Sequence, residues 1–207
     1  MKSTRSFVLL LAMLCATCIY ADSPLTSTYF ADVYKNERIV AIAMMAEGEI
    51  TEEIMNYLAD ENNPVGIKIA TINGLWLGTD NYDTFLNYLK KKHFTSSEIT
   101  LLADLDASTL ISLAYIKALG DYTDLKEAFI IAQNAALKVS DSLTINMINA
   151  LIYAQMIMTH DFCTVFKVCD RVVKDKTLTQ DMQPKAIMQI MEYINLYEDD
   201  CNKKAGN

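Results

Sequence analysis

His160 and Cys163 stand three residues apart, a spacing at which an imidazole could take the proton of a thiol and leave a nucleophilic thiolate. A working dyad needs a third group to orient the imidazole. The nearest carboxylate, Asp161, occupies the position where a helix needs an N-cap, so the pair reads as a turn and not as a catalytic centre. Glu47, Glu49, Glu52 and Glu53, and again Glu198, Asp199 and Asp200, could gather a hard cation, but neither run has the alternating spacing and glycine of a calcium loop. Both read as solvated faces. His93, following Lys90-Lys91-Lys92, reads as positive charge at a helix C-terminus. Two histidines in all leave no zinc set, and no glycine-rich phosphate loop, nucleophile elbow or metalloprotease motif occurs. The sequence therefore implies no catalytic residue, no metal and no cofactor.

The chain opens Met1-Lys2-Ser3-Thr4-Arg5 and continues Phe7-Val8-Leu9-Leu10-Leu11-Ala12-Met13-Leu14, a basic start before a short apolar run, as in a signal peptide. Cleavage after Ala21 is expected, with residues 1–21 as signal peptide and 22–207 as a single helical-repeat domain. The alternative is a lipoprotein acylated at Cys15 or Cys18, for which Ala12-Met13-Leu14 and Cys15-Ala16-Thr17 offer a poor order of small residues. Export to a periplasm or beyond the cell follows from either. The 207 residues hold 26 acidic and 18 basic side chains, a net charge of −8, and loss of Lys2 and Arg5 makes the body more acidic still. Such a surface repels nucleic-acid backbones and anionic lipid. The expected partner is a basic or neutral protein or peptide, with neither nucleic acid nor, after signal removal, membrane.

What must position these residues is a recurrence. Gly78-Thr79-Asp80-Asn81-Tyr82, Leu119-Gly120-Asp121-Tyr122 and His160-Asp161-Phe162 place an aromatic at 82, 122 and 162. Small residues at Gly74, Ala114 and Ala154 precede them, and apolar ones at Phe85, Leu125 and Val165, then Leu89, Phe129 and Cys169, follow. That is a helix, a tight polar turn and a second helix, repeated. Ser27 is expected to cap a first helix reaching to Gly48, and a short helix follows through Ile54 and Leu58. Asn62-Asn63-Pro64 should start a helix over Ile67 to Leu77, paired with one from Tyr82 to Lys91. Later helices are expected from Ser97 to Leu105, Ala107 to Leu119, Asp121 to Leu137, Ser142 to Met158 and Asp161 to Val173, with a last, unpartnered one from Pro184 to Tyr197. Ile67 to Leu77 also spells a hairpin around Asn73-Gly74, but the corresponding columns later in the chain are helical, so Gly74 is read as the close approach of two helices. Trp76 shares a column with Ile116 and Met156 and is expected inside. The crowded methionines, Met147, Met156, Met158, Met188 and Met191, are read mainly as core filler.

Three cysteines follow the signal. Cys163 and Cys169 lie about 9 Å apart along one helix and cannot bridge. A last helix running back antiparallel brings Cys201 to Cys163, so a Cys163–Cys201 disulfide is expected, with Cys169 a buried free thiol. Cys163 falls in the column of Asp83 and Thr123, and so is expected at the surface.

Ile54 to Leu58, Asn63-Pro64-Val65 and Ala70 to Leu75 resemble a HEAT/armadillo-type unit, and Ala114-Tyr115, Gly120-Asp121-Tyr122 and Ala128 resemble the turn of a tetratricopeptide unit. The resemblance implies an all-α fold: a right-handed α-α superhelix of about four antiparallel helix pairs with a C-terminal capping helix, used as a protein-binding scaffold without an inherited active site. In such a scaffold the first helix of each pair lines the inner face, which offers Asn73, Lys117, Asn146, Asn149 and Tyr153 as partner-binding residues. The expected role is that of an exported, non-catalytic binding protein, with an immunity-type inhibitor as its sharper form. The alternatives are an enzyme or small-ligand carrier with His160, Cys163, Tyr115 or Tyr153 in a cavity wall, and a structural envelope subunit.

Overall fold

The computed structural model describes residues 23–76 and 81–204. The expected signal peptide and Gly78-Thr79-Asp80 of the first turn lie outside them. The fold is all-α, and among the described residues the one β-type contact is a bridge between Ser142 and Thr179. A 3-10 turn at Ala31–Tyr34 leads to α1 (Arg38–Met45), α2 (Glu52–Leu58), α3 (Val65–Leu75), α4 (Asn81–Lys92), α5 (Glu98–Asp104) and α6 (Ala107–Gly120). Then come α7 (Lys126–Lys138), α8 (Leu143–Ile157), α9 (Phe162–Lys174) and α10 (Pro184–Ile194), and, after a 3-10 turn at Asn195–Tyr197, α11 (Glu198–Lys204).

Short polar side chains start these helices where the sequence puts them. Thr51, Ser97, Asp106, Ser142 and Asp161 each accept a hydrogen bond from the backbone N–H three residues on, which satisfies a donor the first turn would otherwise leave open. Two starts differ from expectation. Asn63 does not cap α3: Pro64 holds the cap position and the Asn63 amide donates to the Tyr57 carbonyl at 2.9 Å. Nor does α7 begin at Asp121, whose carboxylate accepts from the N–H groups of Thr123 and Asp124 and from the Thr123 hydroxyl. That local turn keeps the chain out of helix until Lys126.

Packing follows from where apolar residues lie. In α3, α6 and α8 they run around most of the circumference, and these three helices form the centre of the molecule. Helix α7 packs on α6 and α8, and α9 on α8. The expected pairing of α3 with α4 is not the principal one: α3 lies along α1, and α4 packs on α6. Gly74 makes the first possible, since a Cβ there would sit 3.2 Å from Met44 Cγ and 3.5 Å from Ala31 Cβ.

The expected continuous helix from Ser27 to Gly48 is broken at Lys35–Glu37, and the freed stretch 23–34 crosses the central helices. The Asn73 side-chain oxygen accepts from the N–H of Phe30 at 2.7 Å and of Ala31 at 2.9 Å, and its amide donates to the Thr28 carbonyl and the Tyr115 hydroxyl. Gln155 on α8 accepts from Leu25 N–H, and Gln183 N–H donates to the Tyr34 hydroxyl at 2.7 Å. Leu25, Phe30 and Ala31 are buried. Asn73, expected to face a partner, is thus covered by the chain's own residues 23–34.

At the other end, the last helix does not stop at Tyr197. It continues into α11, which returns to α9 with Cys163 and Cys201 disulfide-paired and their Cα atoms 4.6 Å apart. Phe162 and Tyr197 stack at 5.3 Å over the junction. The covering helix explains why Cys163 is buried and not at the surface as its column implied. Cys169 is the buried free thiol, and burial pushes it up to about 12.

Asn73→Ala is expected to destabilise by about 1–3 kcal/mol for each backbone N–H left unpaired, with fast amide exchange confined first to residues 23–34. Chemical denaturation with exchange mapping measures both. Cys201→Ser should cost about 2–4 kcal/mol by releasing a loop closed across 38 residues. Non-reducing peptide mapping of the parent chain should return the Cys163–Cys201 linkage and one free thiol.

Candidate functional site

The five residues expected to bind a partner do not form one surface. Asn73 is 2 % exposed and holds the N-terminal segment, so it is corrected to a core residue. Lys117 is half-buried, paired with Glu127 at 2.8 Å and lying 3.9 Å above the Tyr82 ring. Asn146, Asn149 and Tyr153 share a stripe of α8. There the Asn146 amide donates to the Ser140 and Ser142 carbonyls and Tyr153 stacks on Phe129 of α7 at 5.3 Å. The Asn149 side-chain oxygen is buried with no hydrogen-bond partner. Central helices covered on nearly all sides leave few outward positions, which is why helix order did not locate a surface. Neither does a nucleophilic dyad form: His160 is exposed and the Cys163 sulfur is engaged by Cys201.

Polar groups converge instead at the end where α3, α6 and α8 begin. A cleft of about 590 Å³ opens between the loop after α2 and the turn before α6, lined by Asp60, Glu61, Asp104 and Asp106, with Lys92 and His93 on its far wall. Across Glu61, Asn62 and Asp106 it adjoins a recess of about 480 Å³ bounded by Ser108, Ser142 and Asp181. Lys92 fixes the wall, donating to the Ala59 carbonyl at 2.7 Å.

Behind the cleft lies the least expected residue of the site. Lys68, on α3, is fully buried, and its ammonium donates to the Ser108 hydroxyl at 2.6 Å, which in turn donates to Asp106 at 2.6 Å. Burial pushes the Lys68 ammonium down to about 8, only partly opposed by the charges of Asp106 and Asp60. At Asp106 burial works to raise the carboxyl, but hydrogen bonds from Ser108 and Thr109 outweigh it and hold the group below its ordinary value. Asp60 is held low by the backbone and side-chain amides of Asn62. Asp60 and Asp106 are therefore held ionised at neutral pH.

Asp181 was not foreseen as part of this end of the molecule. Its carboxylate accepts from the hydroxyls of Ser142 and Thr144 and from Thr144 N–H, doubling the cap of α8 from a loop 37 residues on. The Asp181 carbonyl presses on Gly66 so closely that no Cβ fits there. Only Gly66 itself, early in a helix, hinted at such an approach.

The opposite end of α3 departs from expectation too. Trp76 is 41 % exposed, not buried with Ile116, and has φ 60 and ψ −142. That region is populated almost solely by glycine and costs a residue with a Cβ about 1–3 kcal/mol. The methionines divide: Met147 is core, whereas Met45 and Met188 are exposed. Among the described residues no group of three or more His, Cys, Asp or Glu is placed to hold a metal ion, and no helix is long and apolar enough to cross a membrane.

No protein-family model, no curated protein and no solved structure matches the chain.

Lys68 gives the cleft a pH signature. Its folded value near 8 lies below its ordinary 10.5, so the unfolded chain holds the extra proton between those limits. The contribution to stability is complete above 10.5 and is lost as pH falls through about 8. Relative to Lys68→Met, the parent chain should gain up to about 1.4 kcal/mol per pH unit across that window. Paired denaturation curves on either side of pH 8 measure the difference, and a flat difference would place the ammonium in water.

Proposed function

We propose that this is an exported, non-catalytic binding protein whose acidic cleft receives basic side chains of a protein or peptide. The observation that carries the reading is the cleft itself, with Asp60, Glu61, Asp104 and Asp106 around one opening and the carboxylates of Asp60 and Asp106 held ionised by fixed hydrogen bonds. Ionised groups held in place by their own turns meet a cation with little reorganisation, and the acidic body steers basic partners toward it. Neutralisation of a basic toxin by an immunity-type inhibitor is the sharper form of the same reading. Export is supported by the signal-peptide pattern and by the Cys163–Cys201 disulfide, a bond favoured in oxidising compartments. The α6–α7 and α8–α9 pairs support descent from an α-α repeat of the HEAT/armadillo kind.

A second reading, a small-ligand carrier or hydrolytic enzyme, draws on one specific feature. Lys68, Ser108 and Asp106 form a hydrogen-bonded chain at the wall of the recess, the arrangement an activated serine requires. Against it, Asp106 is also the cap of α6, and Lys68 keeps its proton at neutral pH. The chain therefore serves first to join α3 to α6.

Neutralising the cleft with Asp60→Asn, Glu61→Gln and Asp104→Asn together should weaken binding of a penta-lysine peptide about tenfold while leaving the melting temperature nearly unchanged. Neutralising Glu198, Asp199 and Asp200 together is the control and should do far less. Calorimetric titration in low and high salt makes the comparison. Equal losses for both triples would reduce the cleft to general acidity, and acylation of Ser108 by an activated ester would favour the second reading.

A further inference from the structure

The one tryptophan of the chain emerges at the surface in a strained conformation and among apolar neighbours. Its ring meets Tyr29 edge-on, with centroids 5.0 Å apart and planes at 62°. Helix α1 ends on the same side, where a Cβ at Gly74 would come within 3.2 Å of Met44 Cγ. Met44 and Met45 are both exposed there, Met45 by 73 %. The chain then turns through Glu47 at φ 51 and Gly48 at φ 89. Asn81 fastens that turn, donating to the Gly48 carbonyl at 2.8 Å and accepting from Ile50 N–H at 3.0 Å. Two of the three non-glycine residues with positive φ among those described, Glu47 and Trp76, therefore belong to this one end. Glu47 and Glu49, in the turn just after Met45, are exposed. Asp32 lies near enough to Tyr29 to add to the effect of burial in raising its phenol.

We propose that the face formed by Tyr29, Met44, Met45 and Trp76 docks an apolar segment of a partner protein that carries arginine or lysine beside its aliphatic side chains. An indole and two flexible thioethers suit an aliphatic surface of irregular shape, and tryptophan dominates such contacts where it occurs. Glu47 and Glu49 beside Met45, and Asp32 beside Tyr29, give the face acidic neighbours, which favour a cationic segment and repel an acidic one. A guanidinium or ammonium can also lie over the exposed indole. A binding anchor gives a reason for a large side chain in a backbone conformation suited to glycine. The face is independent of the acidic cleft, which lies at the other end of α3, about 16 Å along its axis.

Because Trp76 is the sole tryptophan, its emission reads the site directly. Titrating the purified chain with a short synthetic peptide of leucine and arginine should shift the emission to the blue and saturate. A leucine–glutamate peptide of the same pattern should leave it unmoved. Glu47→Gln with Glu49→Gln should raise the dissociation constant about tenfold. The decisive variant is Trp76→Gly, followed with a fluorescein-labelled peptide: binding is lost while the melting temperature holds or rises, since glycine suits the backbone there. A fall in melting temperature with peptide binding intact would make Trp76 a structural residue and overturn the proposal. So would absence of a shift with the arginine peptide, or an equal shift with the glutamate one. A stronger shift on phosphatidylserine vesicles would assign the face to lipid, and a shift that follows protein concentration without peptide would assign it to a second copy of this chain. Neutralising the cleft leaves this readout untouched, so each surface fails or stands separately.

Discussion

Helices α3, α6 and α8 carry apolar side chains around most of their circumference, so each needs neighbours on every side. That requirement shapes the rest of the chain. Helices α1, α4, α7 and α9 pack against them. The remaining inner face cannot be left to water, and residues 23–34 close it. A peptide segment laid over a core brings backbone N–H groups with it, and these must be paired. Asn73 is the answer beneath Phe30 and Ala31: one amide serves two donors and two acceptors at once.

The same requirement decides what could be read from the amino-acid sequence. Local signals were legible. Ser97, Asp106, Ser142 and Asp161 announced helix starts through short-range capping, and α6, α8 and α9 fell where the columns placed them, whereas α7 starts only at Lys126. The Cys163–Cys201 pairing was legible because a short connection forces neighbouring helices antiparallel. What escaped were bonds between distant residues. Asn73 looked like an outward polar residue because its partners, Phe30 and Ala31, lie more than forty residues earlier. Lys68 shows the same blindness, since nothing near it in sequence reveals that Ser108 waits to receive it. A helix apolar on all faces also has no preferred side, so periodicity could not tell that α3 would lie along α1.

The two ends of α3 contrast in chemistry for a reason rooted in the backbone. At its start, three helices present their N–H groups together, and the chain meets that positive pole with short acids and hydroxyls, Asp106, Ser142 and Asp181 among them. The acidity needed for capping spills outward into the cleft through Asp60, Glu61 and Asp104. At its finish the chain must leave the helix sharply, and Trp76 turns it with a backbone conformation more natural to glycine. Charge collects where helices begin, and strain where this one ends.

The N-terminal segment has a consequence for the order in which the molecule can assemble. A ribosome delivers Leu25 and Tyr34 long before Gln155 and Gln183, yet these pairs bond across 130 and 149 residues. A stretch synthesised early is therefore among the last to find its place, and until then Leu25 and Phe30 remain without cover. Contacts so distant in sequence slow folding and lengthen the interval in which a sticky segment can be captured by the wrong neighbour. This chain can complete its core only after nearly all of it has been made.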